Sequence, residues 1–305
     1  MTGSTLIHPR SANISYLKGV VLVLMAGVFW STMGLGIRSI ESANVWQILL
    51  YRSCSLGIFL FILISFRSGF QPFRTIKRAG LASVIGAWGL VLAFSGGIYA
   101  IQSTTVANAM FLFASAPFFA AALGWIILRE SVRRSTWIAT VIAIVGIAVM
   151  VIDGISVGHL VGNVCALLSA LGFAIFTIAL RWGKLEDMLP TVFLAGVFAA
   201  IISALVCFYA DYTFQLSVND VSISIAMGVF QVGAGLAIYT IGSKVVPAAE
   251  LALLSMTEVL LGPFWVWIFV GESTSLYTLI GGLILLIAIA GNALTGLRRK
   301  PVPVL

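Results

Sequence analysis

The sequence predicts an all-α integral membrane protein with ten transmembrane helices, and three observations carry that prediction. Of the 305 residues, 61% are hydrophobic and 9% charged, with a mean hydropathy of +1.13, far above what a water-soluble domain shows. Residues 79–128 hold no Asp, Glu, Lys or Arg. That run suffices for two crossings, since a helix needs roughly 20 apolar residues to span a hydrocarbon core of ~30 Å. The basic residues also gather in alternate connections.

Charge clusters and turns mark each span in order. The first, near 18–37, lies between Lys18 and Arg38. The second, near 45–66, follows Glu41 and stops at Arg67. The third and fourth, near 80–101 and 105–128, share the charge-free run and are parted by the polar turn "QSTT". The fifth, near 135–152, runs from Arg134 to Asp153, and the sixth, near 160–180, ends at Arg181. The seventh, near 189–210, closes on Asp211. The eighth, near 221–243, lies between Asp220 and Lys244. The ninth and tenth, near 247–270 and 275–297, flank Glu272. The connections are too short for a soluble domain, so the chemistry must sit inside the membrane.

All but two of the 17 basic residues fall on one set of connections: Arg10 and Lys18, Arg67 to Arg78, Arg129 to Arg134, Arg181 and Lys184, Lys244, and Arg298 to Lys300. The opposite set carries Glu41, Asp153, Asp211, Asp220 and Glu272, with Arg38 beside them. Positive charge accumulates on cytoplasmic loops, which predicts both termini in the cytoplasm. The net charge of +7 is then a topology signal, and no nucleic acid is implied. The first helix is expected to stay, because no convincing small-residue cleavage site follows it.

Metal-protease and nucleotide-binding patterns are missing from the sequence. His8 and His159 are the two histidines, which removes H-E-x-x-H, and no phosphate-binding G-x-x-x-x-G-K-[ST] occurs. Cys54, Cys165 and Cys207 lie in apolar spans and read as packing residues. No enzyme, cofactor, metal or disulfide is expected. A secondary transporter, a channel and a receptor or scaffold remain, and no ring-forming selectivity segment favours the channel.

Internal repeats separate these classes. "GVVLVLMAGVFWSTMGLGIR" at 19–38 aligns with "GNVCALLSALGFAIFTIALR" at 162–181, "IYAI" at Ile98 with "IYTI" at Ile238, and "LRES" at Glu130 with "VGES" at Glu272. Ten spans divide into five and five, and five is odd, so related halves at 1–153 and 154–305 must lie in opposite orientations. Inverted repeats suit alternating access around a central site.

The ten spans, the closing segments "GWIILRE" and "VWIFVGE", and "VPAAELALLSMTEVLLG" resemble the EamA-type transporters of the drug/metabolite transporter superfamily. The resemblance covers the whole chain. It implies a bacterial inner-membrane carrier of small metabolites, often an amino-acid or metabolite exporter, built as two inverted five-helix repeats around a central cavity. The family commonly has Glu-Pro where this chain has Glu258-Val259. Here prolines stand at Pro263 and, in the first half, at Pro117.

Charged and polar residues within the spans are the candidate substrate-binding or proton-coupling groups. Glu258 lies near the middle of the ninth span, where a charge costs roughly 2.5–3.5 kcal/mol, and reads either as a protonatable cavity group or as a helix clamp. Glu250, about 80° round the same helix, either shares that wall or meets the interface and Lys244. Asn108 is its counterpart in the first half, as Ser115 is for Thr257. Arg52 reads as a holder of a substrate carboxylate, as a permanent ion-pair partner, or as a cation reaching the headgroups. Gln231 divides between cavity and packing roles. Trp30, Trp88, Tyr99, Phe111 and Tyr239 are deep aromatics that line a cavity or pack. The expected ligand is a small polar metabolite, amino acids leading and cationic amines as rival, with the bilayer and protons as further partners.

Overall fold

A computed structural model of the chain describes residues 15–156, 159–185 and 187–297, together with their side chains except at 153–156, 248, 249, 296 and 297. The topology markers at Arg10 and at 298–300, the tail histidine His8 and the Asp153 side chain lie outside the described residues.

Ten helices long and apolar enough to cross a membrane occur among the described residues, and no strand. The first span is α1 (Tyr16–Arg38) and the second α2 (Val45–Arg67), followed by a short helix α3 (Pro72–Arg78). The third is α4 (Gly80–Ser103). The fourth is split into α5 (Val106–Phe113) and α6 (Ala116–Ile127). The fifth, sixth and seventh are α7 (Arg134–Ser156), α8 (Leu160–Trp182) and α9 (Leu189–Tyr209). The eighth begins as α10 (Val218–Ala226), continues as a π-helix (Met227–Ala234) and ends as α11 (Gly235–Gly242). The last two are α12 (Ala248–Val270) and α13 (Leu276–Leu297). This is an all-α membrane protein of ten spans, with ends within a few residues of those the charges predict.

Local chemistry sets these ends. Asn44 accepts from the Trp46 and Gln47 backbones while Gln47 accepts in return from the Asn44 N–H, which closes the start of α2. Thr105 caps α5 by accepting from the Asn108 N–H, and Ser217 caps α10 by accepting from the Asp220 N–H. Gly80, at φ +62°, lets the chain turn between α3 and α4. Gly271, at φ 73°, ends α12.

The two proline spans behave differently. The fourth breaks at Ala114-Ser115, just before Pro117, whereas α12 runs unbroken through Pro263. A helix ordinarily stops before a proline because the ring opposes the preceding carbonyl and lacks an N–H. Neighbouring helices compensate for that loss within a membrane.

Helix pairings repeat at an interval of five spans. The first span packs on the ninth, as the sixth does on the fourth. The third packs on the sixth, as the eighth does on the first. The second packs on the eighth, as the seventh does on the third, and the second meets the seventh as the fifth meets the tenth. Glycines bring the central helices together: a Cβ on Gly89 would lie 2.7 Å from the Gly172 carbonyl oxygen, so α4 and α8 touch through their backbones. The alternate connections give the bundle a basic end, where α1 begins, and an acidic end, where α1 finishes.

Candidate functional site

Glu258 points into the bundle. On α12, Leu260, Phe264 and Trp267 form an exposed face. At about 100° per residue, Glu258 lies opposite them, between the side that meets α1 and the side that meets α5. The α1 side is fixed by Thr257 against Gly27 and by Trp265, whose indole N–H donates to Ser31 Oγ at 2.9 Å. The α5 side is fixed by Gly262 against Met110. The Glu258 carboxyl is half-buried, and among the described residues nothing bonds to it or forms an ion pair with it. The side chain is thus turned inward and partly accessible.

Arg52 sits in a second group. The residue is 3% exposed, its guanidinium lies 4.9 Å from the centre of the Phe94 ring on α4, and its Nη2 donates to Gln231 Oε1 at 3.4 Å. Nη1 has no partner. The reading of Arg52 as a headgroup-reaching cation is thereby corrected, because its charge stays inside the bundle. Its permanent pairing with an acid is corrected too: the two ion pairs among the described residues are Arg38–Glu272 and Arg181–Glu130. Burial of an unpaired guanidinium costs several kcal/mol. Gln231 lies in the π-helix, whose Gly228 approaches the Arg52 backbone so closely that a Cβ there would stand 2.2 Å from the carbonyl oxygen.

Trp30 and Tyr239 extend this group, their ring centres 5.1 Å apart. Trp30 packs in one cluster with Phe94, Val232 and Leu236. It is three residues, about 4.5 Å of helix rise, beyond Gly27, which meets Thr257 and Glu258.

Other candidates lie apart. Trp88 and Tyr99 are 54% and 41% exposed on the outward stripe of α4 with Leu81 and Ile85, away from Leu90 and Gly97, which face the interior. Phe111 is buried against Gly282 of α13. Asn108 donates to Thr104 Oγ1 at 3.1 Å and to Asn163 Oδ1, forming a buried amide pair between α5 and α8. Glu250 accepts from the Tyr16 hydroxyl at the basic end, in place of the Lys244 contact expected for it.

Four residues that the sequence marked only as repeats form partners. Arg38 Nε donates to Glu272 Oε2 at 2.6 Å at the acidic end, and Arg181 Nη2 donates to Glu130 at 2.6 and 2.5 Å at the basic end. Arg38 aligns with Arg181 and Glu272 with Glu130, so the two pairs are the same contact made at opposite ends. They differ in support. Arg38 also donates to the Thr104 carbonyl, and Glu272 accepts from the Val106 N–H. The Arg181–Glu130 pair is about half exposed. The closely matched spacing of the repeated Arg and Glu, 143 residues from Arg38 to Arg181 and 142 from Glu130 to Glu272, was the signal in the sequence that could have found both pairs.

The acidic end carries more. Asp220, fully buried, accepts from the backbones of Glu41, Ser42 and Ala43 and from the Ser42 hydroxyl at 2.8–3.1 Å. Asn219 donates to the Ser39 carbonyl, and Gln47 and Tyr51 donate to the carbonyls of Thr213 and Phe214.

Known proteins agree with this architecture. The profile of the EamA-like transporter family matches the chain twice, over residues 17–152 and 160–294. An uncharacterized transporter, YwfM of Bacillus subtilis (strain 168), is 28% identical over 180 residues, 58% of this chain and 60% of its own length. The pseudopaline exporter CntI of Pseudomonas aeruginosa (strain UCBPP-PA14) is 23% identical over 89% of this chain and 94% of its own. A crystal structure at 18% identity shares the fold, with a TM-score of 0.60 over 93% of this chain and 99% of that one. The chain thus belongs to the EamA-like transporter family.

Proposed function

We propose that the protein is a secondary transporter, proton-linked or facilitated, that exports a small polar metabolite such as an amino acid by alternating access. The halves 1–153 and 154–305 rock against each other as inverted repeats. The observation that carries this reading is the pair of repeat-related salt bridges, each joining one half to the other at opposite ends of the bundle. Two gates of one design, one supported and one exposed, are what a carrier resting in one of two mirror states requires. The symmetric helix pairings and the double family match support the same division.

Positive charge assigns the basic end to the cytoplasm, so both termini are cytoplasmic and the membrane is the bacterial inner membrane. The acidic end is latched, and residues 250–258 near the basic end are half-buried on every face of α12. The state described is then open toward the cytoplasm. Solute enters beside Glu258, the basic end closes, and the acidic-end bonds release. Glu258 exchanges a proton for solute, since its carboxyl changes charge without giving up a protein partner. A cationic amine is the second reading, favoured by that same unpartnered carboxyl.

Counterflow in proteoliposomes tests the proposal: saturable exchange of labelled against unlabelled amino acids or amines is expected, and no flux of any solute overturns it. Glu258→Gln keeps shape and removes titration. It should retain exchange yet lose accumulation driven by an imposed pH gradient by about tenfold or more, with little change in melting temperature. Gradient-driven transport that survives in this variant would move Glu258 to a packing role.

A further inference from the structure

We propose that the Arg52 guanidinium, lying on the Phe94 ring beside the π-wound turn that carries Gln231, is the binding site for a carboxylate of the transported solute. The proposal rests on the transport reading and names its substrate class.

An arginine kept for structure is paired when buried, because an uncompensated guanidinium inside a protein is costly. Arg52 is buried, its single polar side-chain contact is a long one to a neutral amide, and its Nη1 has no partner. Both ion pairs among the described residues are made elsewhere. The missing partner is therefore an anion brought from outside the chain. The planar fork of N–H groups matches a carboxylate, which accepts two parallel bonds.

The surroundings fit a bound group better than a rigid ion pair. Phe94 lies under the guanidinium, 4.9 Å away, while Nη1 keeps no polar partner. The wall opposite is a π-helix, a winding with an extra residue per turn that recurs at functional sites. Gly228 and Gly233 there permit backbone contact with α2 and Phe59. Trp30 and Tyr239 continue the same cluster with apolar surface. A cation would meet repulsion at Arg52, whereas a solute with a carboxylate satisfies the guanidinium.

The test uses the purified full-length protein and three matched sets: leucine, leucinamide and isopentylamine; phenylalanine, phenylalaninamide and phenethylamine; histidine, histidinamide and histamine. Binding is read by melting temperature against concentration, in chloride and in gluconate buffers. In at least one set the wild type should bind the carboxylate at least about tenfold more tightly than its amide. Arg52→Gln should reduce that ratio to within about twofold, and Arg52→Lys, which keeps charge without the fork, should fall between them. Solute-free melting curves confirm that both variants are folded.

A ratio that persists in Arg52→Gln overturns the proposal. So does a wild type that binds amines and amides as well as acids, binds none of the three sets, or shows Arg52-dependent stabilisation by chloride alone. Counterflow separates the two levels. Amine exchange without a carboxylate preference sinks this site and leaves the transporter standing, whereas Arg52-dependent carboxylate binding without any flux does the reverse.

Discussion

The first turns of α5 and the first turns of α12 occupy equivalent places in the two halves and meet opposite surroundings. Residues 106–112 of α5, at the acidic end, are all buried, while residues 250–258 of α12, at the basic end, are all half-buried. Their polar residues differ to match. Asn108 is locked into an amide pair with Asn163, whereas Glu250 accepts from the exposed Tyr16. Two segments in corresponding positions of the repeated helix pairings therefore differ in burial. The acidic end is held by neutral and charged bonds at the Glu41 to Ala43 turn, at Arg38 and at Val106, and the basic end by an exposed ion pair and one phenol.

That contrast sets an order of expected effects. The largest belongs to Asp220, whose fully buried carboxylate holds the 41–43 turn by four bonds. Asp220→Ala leaves those donors without an acceptor and should cost about 3 kcal/mol, seen as the greatest loss in melting temperature of the variants named here. Asp220→Asn should cost less. A melting temperature unchanged by Asp220→Ala would mean that the acidic end is not held at this turn.

Next come the equivalent glutamates. Glu272→Gln weakens a pair supported by the Val106 N–H and the Thr104 carbonyl, so it should shift the protein toward opening at the acidic end. A shift of about 1.4 kcal/mol changes the population ratio tenfold. In a background with Cys54, Cys165 and Cys207 replaced, maleimide labelling of Ala107→Cys should rise accordingly. Glu130→Gln removes an exposed pair worth about 0–1 kcal/mol, so labelling of Leu254→Cys should change by less than about twofold. Equal responses at the two ends would erase the comparison. The smallest effect is expected from Tyr16→Phe, less than about 1 kcal/mol in stability, read by the same melting assay.

The spans themselves were legible because hydrocarbon forbids exposed backbone polar groups. A helix must therefore run from one charged boundary to the next, as α2 does between Asn44 and Arg67. The paired repeats were legible as well, since Arg38 and Arg181, or Glu130 and Glu272, recur at spacings one residue apart. Which side each spanning residue faces was not. Lipid and helix interfaces are both apolar, so the outward stripe of α4 with Trp88 and Tyr99 carries the same kind of residue as the inward face with Leu90 and Phe94.

By itself the sequence determined the solvent, the ten spans, the segregation of charge between the two ends and the short list of ionisable groups within the membrane. Those depend on transfer from water to hydrocarbon, a cost that each segment meets alone. Tertiary structure decided the rest: that Arg52 meets Phe94 and Gln231 and no acid, that Glu250 takes Tyr16, that α12 passes through Pro263 unbroken while the fourth span breaks before Pro117, and that the π-wound turn lies against α2. Each of these is a contact between segments distant in the chain. Partners there are chosen by helix rotation and close packing, which hydropathy along one segment does not encode.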